Sequence, residues 1–409
     1  QKYDVVATNP PYMGASNMNA VLAAFVKKEY PDSKSDLFAV FMDNWNYRTA
    51  HLGYCCMVTM QSWMFLSSFE KLRLKLLNAK SLTTLMHMEN MVLGIAFGTA
   101  VSCFMNAHVS HYKGTYNHIK LTDIVNERPV EFPVTGNRFA QVGADNFSKI
   151  PGAPVAYWVS DAFVKAFEHG IFINDIAEPR VGMATANNDR FVRLWYEVSN
   201  KRISFNSPNR ECARASRARW FPFAKGGETR KWYGNNDYIV NWENDGYEIQ
   251  NFKDLETGRI RSHNYNLDYI FQSALTWTVI SSASTSFRYC PVGFLYSNSG
   301  YGMFFIEEIT KIKVLGFLNS KVVMEVLRVL SPTIGFESGY LRKIPYLEAP
   351  DEIVKTVEFC LEHSRIDWDS YETSWDFQRH PFFLKRYTGA WFGSEKDDPH
   401  IYKVESSYK

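Results

Sequence analysis

The stretch Tyr3–Gly14, YDVVATNPPYMG, constrains this chain more than any other. Val5, Val6 and Ala7 form a small apolar run that stops at a proline pair. This pattern predicts a short strand over 3–8, buried at the centre of an α/β sheet. Pro10 and Pro11 each fix their own φ and push the preceding residue into an extended conformation, so the chain leaves the strand in a set direction. In open α/β sheets ligands bind beyond the carboxyl ends of strands, where Asn9-Pro10-Pro11-Tyr12 falls. The tetrapeptide suits a flat exocyclic amine. The Asn9 side-chain carbonyl and the Pro10 backbone carbonyl can converge on one NH₂ group, accept both its hydrogens and expose the nitrogen lone pair. Neither proline has an N–H to compete. Tyr12 adds a ring on which a base can stack, an interaction of about 1–3 kcal/mol. A base held in a duplex reaches such a pocket only by flipping out. The competing reading, a Pro-Pro turn that merely ends a strand, is weakened by the apolar strand before it and by Gly14 after it.

With 409 residues the chain can bury a large core in about two or three domains. Hydrophobic content of 46% and charged content of 22% are those of a soluble globular protein. A net charge of +2 does not by itself imply a nucleic-acid partner. No apolar run is long enough to span a bilayer, and the N-terminus has no signal-peptide pattern. The six cysteines (55, 56, 103, 212, 290, 360) include no C-x-x-C pair, so they are expected to be reduced, mostly buried thiols in a cytoplasmic protein. The ten histidines show no spacing with cysteine that would hold zinc, and no metal is expected.

Downstream, helical spacing is predicted over 18–30 and over 36–48, where Leu37, Phe38, Val40, Phe41 and Trp45 share a face. A buried strand is predicted over 53–61 and a helix over 66–80, with Ser67 and Glu70 as a capping box. Further strands are predicted over 82–88, 99–107 and 113–121, the last two as a hairpin. Core packing is the simple account of these aromatics. The functional alternative places Phe38 or Phe41 on a cofactor's adenine and Phe97 on the second face of the base. Beyond residue 123 the chain becomes loop-rich, and a domain boundary is expected between 123 and 150. A helix is expected over 157–169, ended by Gly170.

Residues 190–231 hold eleven basic side chains (190, 193, 201, 202, 210, 214, 217, 219, 225, 230, 231) against Glu197, Glu211 and Glu228. Lys and Arg that neutralise phosphates supply most non-specific DNA affinity. The candidate contacts are Arg190, Arg193, Arg217, Arg219, Lys225, Arg230, Lys231 and Trp232. Gly226 and Gly227 allow close backbone approach, and the competing reading is a solvated charged face. Arg288 stands alone in an apolar context, read equally as a phosphate contact or half of a buried ion pair. Helices are expected over 307–317, 321–330 and 353–363. Residues 351–409 carry twelve acids and eight bases and are an unlikely DNA surface; they pack back on the body or bind a partner.

The Asn-Pro-Pro-Tyr motif resembles the catalytic motif of amino-methyltransferases that act on adenine N6 with S-adenosylmethionine. Close variants also serve glutamine and guanine amines. Together with VGMATANNDRFVRLWYEV, KGGETRKWYGNNDYIVNWENDG, LGFLNSKV, SPTIGF and DWDSYETSWDF, the chain resembles the C-terminal half of PglX methyltransferases of bacterial BREX phage-exclusion systems. More distantly it resembles fused restriction-modification methyltransferases. The resemblance implies the second half of a class I, Rossmann-like methyltransferase sheet over 1–123. An α+β target recognition region follows over 124–350, and an acidic helical segment over 351–409. It implies catalytic roles for Asn9, Pro10, Pro11 and Tyr12, base stacking by Tyr12 and Phe97, and cofactor contacts by Asn9, Pro11, Phe38 and Phe41. It implies double-stranded DNA and other BREX proteins as partners. No glycine-rich loop with a ribose-binding acid lies downstream of Asn9. The main S-adenosylmethionine motif is therefore expected upstream of residue 1, and this piece alone is expected to be inactive. Other readings are a DNA-recognition or partner-docking module, or an RNA or protein-glutamine methyltransferase.

Overall fold

Strand β1 (Tyr3–Thr8) forms where the apolar run places it. The structure, a computed structural model, describes residues 1–381 apart from 93, 127, 136–137, 282–284 and 332–334. Pro332, Thr333 and Ile334 of SPTIGF and residues 382–409 of the acidic segment therefore lie outside the described residues. After β1 come α1 (Ala20–Glu29), α2 (Leu37–Arg48), β2 (Thr49–Met60), α3 (Glu70–Ala79), β3 (Ser81–Met88), β4 (Thr99–Met105) and β5 (Lys113–Ile119). Side-chain oxygens set two of the helix starts: Asn19 accepts from the Leu22 N–H and Asp36 from the Phe38 N–H. The expected Ser67–Glu70 capping box does not form. Ser67–Phe69 make a 3₁₀ turn, and α3 begins at Glu70 without a side-chain cap.

The sheet corrects two expectations. Its order is β1-β2-β4-β3-β5, followed by Phe139–Gly143. β4 does not form a hairpin with β5. It runs antiparallel between β2 and β3, with Val58 opposite Val101 on one side and Met86 opposite Val101 on the other. In that slot both its hydrogen-bonding edges are paired, whereas a β4–β5 hairpin would leave one open. β5 instead lies parallel to β3, and its other edge is taken by Phe139–Gly143, so the sheet continues past residue 123. Nor is β1 a buried central strand: among the described strands it pairs only with β2, in parallel, and Val5 is 67% exposed.

The β2–β4 register also sets Cys56 opposite Cys103, and the two are joined as a disulfide, against the expectation of six reduced thiols. Cys55, Cys212, Cys290 and Cys360 are free. The pairing spans strands whose adjacency cannot be read from cysteine spacing.

Packing divides the chain into two units, one of residues 1–175 with 321–347 and the other of 176–320 with 348 onward, which cut across the stretches 1–123, 124–350 and 351–409 read from the sequence. In the first unit Phe38, Met42, Leu72, Leu76, Leu85 and Phe104 centre the core around the sheet. Its helix α4 (Asp161–His169) starts later than residue 157, because the Ser160 hydroxyl caps it by accepting from the Phe163 N–H. The second unit holds two four-stranded sheets. One is ordered 178–180, 300–304, 274–278, 287–290, and the other 192–194, 238–241, 220–224, 295–296. Its helix Glu352–Asp369 runs beyond the expected end at 363. The segment that follows packs back on its own unit, with Trp375 against Phe205 and Phe294.

Arg73 on α3 is fully buried, and burial lowers its pKa to about 10. It donates to four backbone carbonyls, those of Trp63 (2.7 Å), Leu66 (2.7 Å), Gly152 (2.5 Å) and Ala153 (3.2 Å). These bonds tie the turn after β2 and the 152–153 loop to one side chain. Arg73→Met removes all four donors while keeping bulk, so it is expected to destabilise the protein by about 3 kcal/mol, read as a lower urea midpoint.

Candidate active site

Asn9-Pro10-Pro11-Tyr12 leaves β1 at its carboxyl end, next to the strand β2 that runs parallel to it. Asn9 is exposed, and among the described residues no hydrogen bond holds its carboxamide. Pro10 is buried and Pro11 exposed. Tyr12 is half-buried and anchored, its hydroxyl donating to the Val58 carbonyl at 3.1 Å, and burial raises its pKa. The segment beyond Tyr12 is fixed by Asp36. One Asp36 carboxylate oxygen accepts from both the Met13 and Phe38 N–H groups, at 3.0 and 3.2 Å. The Leu37 N–H donates to the Met13 carbonyl and the Ala15 N–H to the Ser35 carbonyl, each at 3.0 Å. The exit from the motif is thus stitched to the first turn of α2.

Two of the aromatic candidates meet Tyr12 here. Phe97 meets Tyr12 edge to face, with ring centroids 5.7 Å apart, and Phe38 meets Tyr12 at 6.0 Å. Phe38 is fully buried and also packs on Phe69, so it supports Tyr12. Phe41 is partly buried and keeps some free surface.

Three residues escaped the sequence reading. The Gln61 N–H donates to the Gly98 carbonyl at 3.0 Å, immediately after Phe97. The Gln61 side-chain oxygen lies 2.6 Å from His87 Nε2, and His87 Nδ1 lies 3.2 Å from the Tyr157 hydroxyl. A carbonyl oxygen can only accept, so His87 carries its proton on Nε2 and Nδ1 accepts from Tyr157. Burial pushes the Tyr157 phenol well up, which keeps it a donor. No local motif signals this chain: the three residues lie on separate segments and meet only in the fold.

The basic candidates of the second unit do not form one uniform patch. Arg190 pairs with Glu248 at 2.6 Å, and Arg219 lies near Glu243 and Glu248 at 3.7 and 3.9 Å. Arg210 and Arg214 share Asp245, which sits in the left-handed turn Asn244-Asp245-Gly246. Arg230 pairs with Asp367 at 3.0 Å and stacks on Trp368. Lys231 donates to the Asn319 carbonyl, and the Lys225 ammonium sits 4.3 Å over the Tyr238 ring. Arg193 donates to the carbonyls of Asp189 and Val192. Arg217 is exposed, with no ion pair among the described residues. Trp232 takes a φ of +72° and bridges to the strand 287–290 through its backbone. Gly226 and Gly227 take φ of +88° and +129°, and a Cβ on Gly226 would come within 2.8 Å of the Ser299 carbonyl, so the protein's own chain requires both glycines. Arg288 is 1% exposed. It donates to the Arg230 carbonyl, Ser286 and Thr278, and burial lowers its pKa to about 10. Among the described residues no carboxylate pairs with it, so the buried ion pair expected as one of its two roles is not seen.

Among the described residues no helix is long and apolar enough to cross a membrane, and no cluster of His, Cys, Asp or Glu is placed to hold a metal.

Comparison with known proteins supplies relatives. Residues 1–92 match the family described as Eco57I restriction-modification methylase. The chain is 39% identical over 388 residues to adenine-specific methyltransferase PglX of Lacticaseibacillus casei (strain Zhang), covering 92% of this chain and 32% of the relative. It is 36% identical over 393 residues to adenine-specific methyltransferase BrxX of Escherichia coli O9:H4 (strain HS), covering 93% and 30%. Its homologues are thus adenine-specific methyltransferases, and the chain spans about a third of their length. Among solved structures, the Type IIL restriction-modification enzyme MmeI, determined in complex with DNA, matches with a TM-score of 0.52 at 13% identity, covering 91% of this chain and 50% of that one. That likeness is one of fold.

The His87 network has a pH signature. Burial, with His118 adding to it, lowers His87 to about 3. Its folded value lies below its unfolded one, so between about pH 6.5 and pH 3 the unfolded chain binds a proton that the folded chain does not, and stability falls as pH falls through that window. His118, itself lowered by burial and 3.7 Å from Glu89, remains in a variant at 87. His87→Phe is therefore expected to flatten the slope of unfolding free energy between pH 6 and 4 by up to about 1.4 kcal/mol per pH unit, measured by denaturant titration at each pH.

Proposed function

We propose that this chain carries the target-base side of an adenine-N6 DNA methyltransferase that marks host DNA in a phage-defence system. The reading rests on Asn9: an exposed, unbonded carboxamide at the carboxyl end of β1, beside a tyrosine whose hydroxyl is tied to β2. In it, β1 to β5 form the second half of a class I methyltransferase sheet, residues 124–350 recognise the target, and the described part of the acidic segment, 351–381, belongs to the recognition unit. The homologues' names support adenine as the base.

Each residue's role follows from its chemistry. Asn9 Oδ1 and the Pro10 carbonyl accept the two N6 hydrogens, which holds the amine and directs its lone pair away from the ring plane. Tyr12 stacks on the flipped base, and Phe97 offers the second face. The methylated amine loses its proton after the transfer, so no general base is required. The orientation of amine and methyl donor, rather than a general base, lowers the barrier. The residues present fit S-adenosylmethionine at its methyl end: the unbonded Asn9 and the exposed Pro11 would border it, Phe41 with its part-open ring is a further candidate, and the fully buried Phe38 would only support Tyr12. When bound, that cofactor supplies an electrophilic methyl on a sulfonium. Double-stranded DNA is held by the second unit, whose basic side chains that pair with no carboxylate among the described residues include Arg193, Arg217, Lys225 and Lys231.

Two measurements test this reading. Asn9→Ala, in the host with the gene otherwise intact, is expected to lower N6-methyladenine at one asymmetric motif by about 100-fold or more when the genome is sequenced for modified bases. Unchanged methylation overturns the DNA assignment and favours an RNA or protein amine. Arg193→Ala and Arg217→Ala are each expected to reduce the slope of log K against log salt for duplex binding by about 0.9, as loss of one phosphate contact requires. Unchanged slopes would place the DNA elsewhere.

A further inference from the structure

The loop that presents Phe97 is clamped from an unexpected direction. Gln61, at the carboxyl end of β2, binds the Gly98 carbonyl through its backbone N–H, and its side chain lies flat on the Gly98 Cα. A Cβ on Gly98 would fall 2.3 Å from Gln61 Nε2, 2.4 Å from its Cδ and 2.6 Å from its Oε1, so a side chain at 98 would displace the Gln61 amide from this place. Gly98 has no positive φ to explain it otherwise. The amide in turn is fixed by His87 at 2.6 Å, and His87 by the buried Tyr157, which stacks on the buried Tyr116 with centroids 5.3 Å apart. His87 also stacks on His118 at 4.8 Å. A relay of side chains therefore runs from the core of the first unit to the residue next to Phe97.

We propose that Gln61, oriented by His87, is a positioning residue that pins the Phe97–Gly98 backbone so that the Phe97 ring forms the second wall of the base site. The inference rests on the base-site reading given above. It follows from what the Tyr12–Phe97 pair must do. The two rings now touch edge to face, so a base stacked on Tyr12 requires the Phe97 ring to turn. With its backbone fixed by Gln61, Phe97 has only side-chain rotation available, and it closes on the base in one orientation. Without the pin the loop itself can drift, and a wall displaced by about 1 Å costs up to about 100-fold in rate. Gln61 need not touch the base; it acts through Gly98.

The test uses the complete enzyme, S-adenosylmethionine and a duplex carrying the motif mapped in the host. Gln61→Ala, His87→Phe and Gly98→Ala are each expected to slow single-turnover methyl transfer at saturating DNA by about 10–100-fold, with the DNA Kd within about twofold of the parent. With 2-aminopurine as the target base, emission should rise in each variant because the flipped base is less stacked. Gln61→Glu keeps an acceptor for His87 Nε2–H and should restore most of the rate. The Gln61→Ala/His87→Phe pair should be no slower than the slower single variant, since both cut one relay. Parent-like rates in Gln61→Ala and Gly98→Ala overturn the proposal, as does a loss of DNA affinity or thermal stability with the rate at saturation unchanged, or a double variant whose defects multiply. Asn9→Ala, run in parallel, separates the two ideas. If it abolishes transfer while the Gln61 variants are normal, only the relay fails; if it transfers normally, the base-site reading itself fails.

Discussion

The bond from the Met13 N–H to the Asp36 carboxylate holds the candidate site together. Asp36 is nearly buried and does two things with one oxygen. It caps α2, a contribution of about 1 kcal/mol to a helix start. It also captures the chain just after Asn9-Pro10-Pro11-Tyr12, which has left its strand and has no ladder of its own. Proline pairs stiffen a segment but donate no hydrogen bond, so the motif must be fixed at its ends. One end is β1, and the other is Asp36 with the two neighbouring backbone bonds to α2. Between them Tyr12 is held from the side by the Val58 carbonyl. This leaves Asn9 as the polar side chain of the motif that the fold does not use.

Local sequence was a good guide to the elements of the first 120 residues and a poor one to their order. Runs such as Gly53–Gln61 and the spacing of Leu72, Leu76 and Leu77 carry their own periodicity, so strands and helices formed close to where it placed them. Strand pairing is different. Nothing between residues 99 and 121 says that β4 inserts between β2 and β3, because the partners that complete its two edges are remote in sequence. The same remoteness hid the Cys56–Cys103 pair. Val5 and Val6 showed that β1 is apolar, but apolarity does not reveal how many neighbours a strand has, and β1 lies at an edge.

The basic stretch shows how counting within a window misleads. Five of its eleven basic side chains are answered by residues outside it: Glu243, Asp245 and Glu248 on the next helix take Arg190, Arg210, Arg214 and Arg219, and Asp367, remote in sequence, takes Arg230. Its aromatic residues divide in the same way. Trp220, Phe221 and Phe223 lie on the strand Trp220–Ala224, which is buried along its whole length. What survives as a possible phosphate-binding surface is smaller and more dispersed than the window implied. The segment predicted to be an unlikely DNA surface proves to be part of the frame that orders this one, through Asp367, Trp368 and Trp375.

The Asn9-Pro10-Pro11-Tyr12 segment stood out as a candidate because its pattern is local, whereas the groups that steady its surroundings did not. Gln61, His87 and Tyr157 are ordinary residues in sequence, and their meaning lies in contact geometry: an amide flat on a glycine, a histidine whose two nitrogens are both committed, a phenol kept protonated by burial. A site that would hold a flat, uncharged amine has little charge with which to keep its partner in place. Precision must then come from walls, and a wall on a loop is only as steady as what the loop rests on. In this fold the loop before β4 rests on β2, through Gln61, and β2 also carries the carbonyl that holds Tyr12. One strand thereby sets both faces between which a base would lie, which makes their spacing a property of the sheet rather than of either loop.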